Sequence, residues 1–159
     1  IAASERIFEM FDMHTEVKEQ PGAAELAPFR RAIEFRDVWF GYDEGPGRIL
    51  RGVSCTVTAG QMVAIVGRTG AGKSTLVNLL PRFYAPERGR ILLDGEDIQH
   101  LTLESLRANL ALVSQEVMLF NDTGRANIAY GRMGTASERE VIAAAQAAHA
   151  LEFIRETPQ

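Results

Sequence analysis

Gly67-Arg68-Thr69-Gly70-Ala71-Gly72-Lys73-Ser74 satisfies G-x-x-x-x-G-K-[ST] at every constrained position. Ahead of it, Met62-Val63-Ala64-Ile65-Val66 is a continuous apolar run, the pattern of a parallel strand buried on both faces. Behind it, Leu76, Val77, Leu79 and Leu80 recur at helical spacing until Pro81 stops the run. Strand, glycine-rich loop and helix in that order make a phosphate-binding loop. Phosphate oxygens need several donors within a small radius, and Gly67, Gly70 and Gly72 leave room for the backbone to approach. Their amides, with those opening the helix, form an anion-binding nest at the positive end of the helix dipole. Lys73 supplies a point charge for the β- and γ-phosphates, the Ser74 hydroxyl is placed for Mg²⁺, and Thr75 adds a further hydroxyl. Arg68, Thr69 and Ala71, at the variable positions, complete the expected nucleotide contacts. The loop alone names neither the base nor the reaction.

Composition narrows the field. A chain of 159 residues with 46% hydrophobic and 24% charged residues suits one globular domain. Its net charge of −4 and lack of a basic stripe argue against a nucleic-acid partner. Cys55 is the single cysteine, which excludes an internal disulfide; its place in the series Val53, Cys55, Val57 reads as a small core residue, and the compartment as reducing. No apolar run approaches the roughly 18 residues of a membrane span, and the first residues are no signal peptide, so the segment is expected to be soluble. A start at Ile1 and an end at Gln159 straight after helix-like sequence are expected of a part cut from a longer polypeptide.

In chain order, Ile7, Phe8 and Phe11 form the apolar stripe of a short amphipathic helix, and residues 13–28 read as a linker. Strand character begins at Ile33-Glu34-Phe35 and Val38-Trp39-Phe40 and returns over residues 49–57, across a turn cluster at residues 43–47. Pro86-Glu87-Arg88-Gly89 is a turn, residues 90–93 a strand, and Asp94-Gly95 a hairpin signal that puts Ile98 on the returning strand. Thr102 caps a short helix through Leu103, Leu106 and Arg107. Residues 110–113 form a second buried-strand candidate, so one edge of the parallel sheet is expected to be exposed. A loop at Asn121, Asp122 and Gly124 precedes a helical piece over residues 126–130. Ser137 and Glu140 form a capping box ahead of a helix that buries Val141, Ala145, Ala148 and Leu151. His14, His100 and His149 lie apart, without ligand spacing.

Taken together, the loop, the run Pro86-Glu-Arg-Gly-Arg-Ile-Leu-Leu-Asp-Gly-Glu-Asp-Ile, Ala111-Leu-Val-Ser-Gln-Glu, Leu119-Phe-Asn-Asp-Thr and Asn127-Ile-Ala-Tyr-Gly resemble the nucleotide-binding domain of an ATP-binding-cassette transporter. The resemblance runs from about Ile33 to the end. It is especially similar to exporters that carry the membrane domain ahead of the ATPase, including lipid A and multidrug exporters. It implies an incomplete α/β phosphate-loop NTPase with an N-terminal antiparallel β subdomain. Residues 1–31 would be the connecting helix and linker from a membrane domain, and residues 32–159 the N-terminal part of the nucleotide-binding domain.

The resemblance also assigns roles. Tyr42 matches the aromatic that stacks on adenine, with Trp39 and Phe40 close enough to compete. Gln115 matches the glutamine that reaches Mg²⁺ and the attacking water's region, and whose loop contacts the membrane domain. Lys73 and Gln115 are thus the catalytic candidates, Ser74 and Gln115 the metal candidates, and ATP with Mg²⁺ the ligands. Asp94 is rejected as a magnesium ligand, because Gly95 follows it and hairpin chemistry accounts for it. Gly124 departs from the aliphatic residue usual after that threonine, which either weakens the next helix or loosens a contact with the membrane domain. The family's signature sequence, magnesium-binding strand, following glutamate and switch histidine are expected beyond Gln159. In the intact family two such domains meet head to tail around ATP at the cytoplasmic face of the inner membrane. This segment is therefore expected to bind ATP without turning it over. A soluble cassette ATPase, or a regulatory nucleotide-binding fragment, stands as the alternative.

Overall fold

The computed structural model describes residues 17–42, 47–114 and 118–156. The helix expected over residues 2–11 lies outside them. The chain forms two compact units, Ile1–Leu112 and Val113–Gln159.

The first unit is organised by an antiparallel sheet in the order β2-β1-β3-β4, with β1 Ala32–Phe40, β2 Leu50–Thr58, β3 Arg88–Leu93 and β4 Glu96–Asp97. Strand alternation puts Ile33 and Phe35 on one face, and would put Asp37 and Trp39 there next. A bulge intervenes. The pairing of β1 with both neighbours slips between Phe35 and Trp39, and Asp37 takes a left-handed φ of 50°. The extra residue moves Val38 and Phe40 onto the face of Phe35, and all three are buried. Opposite the bulge, Gly89 lies so close to β1 that a Cβ there would meet the carbonyl oxygens of Asp37 and Arg36. Only glycine permits this approach. β3 consequently begins at Arg88, two residues inside the expected turn, with Arg88 opposite Trp39.

Helix α1, Lys73–Leu79, lays Leu76 and Leu79 into the core against Ile91 and Leu93 of β3 and against Ile98, Leu101 and Leu106. The Asp94-Gly95 turn joins β3 to β4 with positive φ at both residues, as a type I′ hairpin requires. β4 stops at Asp97, so Ile98 does not continue the strand. Asp97 accepts from the backbone N of Gln99 at 3.0 Å, which turns the chain into a 3₁₀ segment over Ile98–His100 and buries Ile98. Thr102 caps helix α2, Leu103–Ala108, accepting from the Ser105 backbone N.

The described part of the expected linker has no helix or strand, yet it is pinned to the unit. Ala24 bonds to His100 and Thr102 through its backbone, both at 2.9 Å. Leu26 N donates to Ser105 Oγ at 2.9 Å, and Leu103 N donates to Glu19 Oε1 at 2.6 Å. Beneath it, the buried Arg82 guanidinium donates to the carbonyls of Leu101 at 2.7 Å and of Ile98 and Lys18 at 3.1 Å. Burial pulls its pKa below the usual arginine value, against the pull of Glu19.

Three expectations about the core fail. Residues 62–66 form no strand, and Met62 is fully exposed and Val66 nearly so. Residues 110–113 likewise form none, with Leu112 and Val113 exposed. The reason is pairing: no described strand bonds to either run, and an extended chain without ladder neighbours cannot bury its backbone. Cys55 is exposed as well. It sits on the edge strand opposite Phe35, and among the described residues the core beneath β1 and β3 does not extend under it.

The second unit is helical: α3 Gly124–Ile128, a 3₁₀ segment over Gly131–Thr135, α4 Glu138–Ala147 and α5 Leu151–Glu156. Thr123 caps α3 through the Ala126 N, so the helix begins earlier than expected, with Gly124 as its first residue. The Asn127 side chain knots the preceding loop, donating to the carbonyls of Phe120, Asp122 and Thr123 and accepting from Phe120 N at 2.8 Å. The capping box forms as read: Glu140 N donates to Ser137 Oγ, and Ser137 N donates to Glu140 Oε2 at 2.7 Å. Hydrogen bonds from Ser137 hold the Glu140 carboxyl below its ordinary pKa. Val141 and Ala145 are buried, but Ala148 is the exposed C-cap and Leu151 starts the next helix, half-buried.

Candidate functional site: the phosphate-binding loop

Gly72 sets the geometry of the loop. Its φ of 88° and ψ of 14° turn the chain into α1, and a Cβ there would lie 2.8 Å from Ile49 Cγ2 and 3.0 Å from Leu50 Cδ2. The loop is therefore pressed against the start of β2 at a point where any side chain would both clash and strain the backbone. Ala71 N donates to Arg68 O at 3.1 Å, closing a turn, and Leu76 N to Gly72 O at 2.9 Å is the helix's first bond. The amides of Lys73, Ser74 and Thr75 precede it and have no acceptor within the helix. Gly67 packs beside Ala71, whereas Gly70 faces open space.

The lysine stays with its loop. Lys73 Nζ donates to Gly67 O and Arg68 O, each at 2.9 Å, so its charge lies across the loop. Arg68, Thr69, Gly70, Ala71 and Ser74 are exposed along the same rim. Thr75 differs: it is buried, and its hydroxyl lies 3.4 Å from the hydroxyl of Tyr42.

That contact brings Tyr42 to the loop across 33 residues of sequence. The geometry separates it from the two neighbouring aromatics. Phe40 is buried in the core. Trp39 is engaged by Asp37 at 2.8 Å through its Nε1, with the Arg48 and Arg88 guanidinium carbons 5.4 and 5.8 Å from its ring centre. Tyr42, 37% exposed, combines an open ring surface with a contact to the loop helix. Tyr84, unnoticed in the sequence, packs edge-to-face on it with ring centres 5.1 Å apart. Its only sequence signal was an aromatic in the turn after Pro81, which carries no periodicity. Gln115 lies outside the described residues.

Asp94 is fully engaged away from the loop. Its carboxylate accepts from the backbone N of Arg30 and Arg31 at 2.7 Å and of Ala32 at 2.9 Å, and its carbonyl accepts from the Arg31 side chain. Desolvation pushes its pKa up, but the three backbone donors and the Arg31 charge outweigh it and hold the carboxyl below its ordinary value. This is hairpin and chain-anchoring chemistry.

Comparison with known proteins fits this loop into a family. A model of the ABC transporter family matches residues 50–159. The ATP-dependent lipid A-core flippase of Desulfotalea psychrophila is 48% identical over 99% of this chain, which spans 27% of that relative's length. The ATM1-type heavy metal exporter of Novosphingobium aromaticivorans is 52% identical over 96% of this chain, which spans 25% of its length. A solved structure of a bacterial Atm1-family ABC exporter with ATP bound superposes with a TM-score of 0.88 and 51% identity, over 98% of this chain and 27% of that one. The chain spans about a quarter of the length of these relatives and belongs to the ATP-binding-cassette transporter family.

Proposed function

We propose that the loop 67–74 and Tyr42 form one half of an ATP site in the motor of a membrane exporter. The observation that carries this is the juxtaposition of a phosphate loop, turned into α1 at a left-handed Gly72, with a partly exposed tyrosine whose hydroxyl contacts Thr75 of that helix. In this reading the adenine stacks on Tyr42 and the triphosphate lies along the amides of residues 68–75. Lys73 exchanges its two carbonyl acceptors for the β- and γ-phosphates, which are stronger, charged acceptors. Ser74, exposed at the first turn, would hold Mg²⁺ through its hydroxyl. Bound Mg²⁺ would neutralise charge developing on the transferred phosphoryl group. Gln115 is proposed to reach the same Mg²⁺ and to carry the contact with a membrane domain.

Hydrolysis in this account needs groups that this sequence does not hold. They would come from the remainder of the polypeptide and from a second nucleotide-binding domain facing the first head to tail, at the cytoplasmic face of the membrane. The cargo is proposed to be a lipid or other hydrophobic molecule, since the relatives include lipid A-core flippases. Fluorescent-nucleotide titration combined with phosphate release tests the reading. The 159-residue chain should bind ATP without releasing phosphate, the full-length transporter should release it, and Lys73→Ala should abolish release. Turnover by the chain alone, or persistence of full-length turnover in Lys73→Ala, would contradict it.

A further inference from the structure

We propose that Tyr84 is a positioning residue for the nucleotide base, acting through the ring of Tyr42. The inference rests on the ATP-site reading above and extends it to a side chain that has no place in the loop.

Tyr42 lies past the end of β1, and among the described residues the last backbone bond holding that strand end is Ile49 N to Phe40 O at 2.8 Å. The orientation of its ring therefore depends on side-chain contacts. Two of these are edge-to-face: Phe40 at 4.9 Å and 87°, and Tyr84 at 5.1 Å and 85°. Phe40 and Tyr84 also touch, at 5.5 Å, closing a triangle of rings. Phe40 is fixed by burial. Tyr84 packs against the same core and is carried on the turn that follows α1, so one helix presents the phosphate loop at its start and the prop for the base-facing ring just after its end. That turn is itself fixed. Arg82, two residues before Tyr84, takes a left-handed φ of 53° and buries its guanidinium on the carbonyls of Ile98, Leu101 and Lys18. Arg107 adds a bond to Pro81 O at 2.9 Å.

A ring held by two aromatic contacts and still 37% exposed needs less further ordering to receive a base. Removing Tyr84 frees the ring to rotate, which weakens every interaction that depends on its face and none that depends on the loop amides or Lys73. An edge-to-face aromatic pair is worth about 3- to 10-fold in an equilibrium constant.

The test uses the full-length transporter and two probes, Mg·ATP and Mg·tripolyphosphate, which has phosphates but no base. Tyr84→Ala should weaken ATP binding about 3- to 10-fold and leave tripolyphosphate binding unchanged, and Tyr84→Phe should restore ATP binding because the ring pair is kept. Equal weakening of both ligands by Tyr84→Ala, or no weakening of ATP, would overturn the positioning role, as would failure of Tyr84→Phe to restore affinity. Lys73→Ala is the control for the underlying site and should weaken both ligands. A wild-type protein without ATP affinity, or a Lys73→Ala variant with full affinity, would overturn the ATP-site reading itself.

Discussion

The apolar stretch Ile91-Leu92-Leu93 of β3 and the two apolar runs at residues 62–66 and 110–113 are built from similar residues and have opposite fates. Ile91 in β3 is completely buried, while Met62 is completely exposed. The difference is not hydrophobicity. Each of β1 and β3 has ladder partners on both sides and α1 packed across one face, whereas neither run bonds to any described strand. An apolar run is a strand only when something supplies its neighbours, and that information is not local. In the 159-residue chain neither run is therefore a strand, even though the backbone follows that of an ATP-bound exporter over nearly its whole length.

The sharpest way to break this comparison is truncation on either side of it. In chemical denaturation of the 159-residue chain, Ile91→Ala should cost about 2–5 kcal/mol, as for other fully buried aliphatic residues. Met62→Ala should stay within about 0.5 kcal/mol. Comparable costs at the two sites would show that residues 62–66 are packed after all. The next largest effect tests what holds the strap of residues 17–30. Arg82→Met removes the donors to three carbonyls and should destabilise by about 1–3 kcal/mol, with the amides of Ala24 and Leu26 losing hydrogen-exchange protection first. Ser137→Ala, in the second unit, removes one cap and should cost about 1 kcal/mol without altering β1–β4.

The smallest effect is a pH dependence. Asp94 has a folded-state pKa below its ordinary value. Its contribution is thus fully present above the unfolded carboxyl's value of about 3.9 and is lost as pH falls through the folded value. Asp94→Asn keeps a residue tolerant of the left-handed turn and should flatten that part of the acid limb. Denaturation midpoints from pH 6 downward check it, and an unchanged acid limb in the variant would refute the anchoring role.

How much of this was legible depended on whether the signal was local. The Asp94-Gly95 hairpin, the Thr102 cap and the Ser137 capping box were readable because a side chain and the backbone a few residues away decide each one. The phosphate loop was readable for the same reason: Gly72 needs its left-handed φ whatever surrounds it. The slip that brings Val38 and Phe40 onto the face of Phe35 was visible only as a broken alternation. Tyr84 was invisible, since its meaning comes from a ring 42 positions earlier in the chain. The exposure of Cys55 and of the two apolar runs was missed because burial belongs to the sheet and its covering layers, not to the strand's own pattern.

Gly67–Ser74 and Tyr42 are proposed to receive one nucleotide together. Nuclear magnetic resonance of the chain titrated with Mg·ATP tests it most directly. The amides of residues 67–75 and the ring signals of Tyr42 should move together with a single affinity, and both responses should vanish in Lys73→Ala. Loop amides that shift while the Tyr42 ring does not, or shifts that survive loss of Lys73, would contradict it.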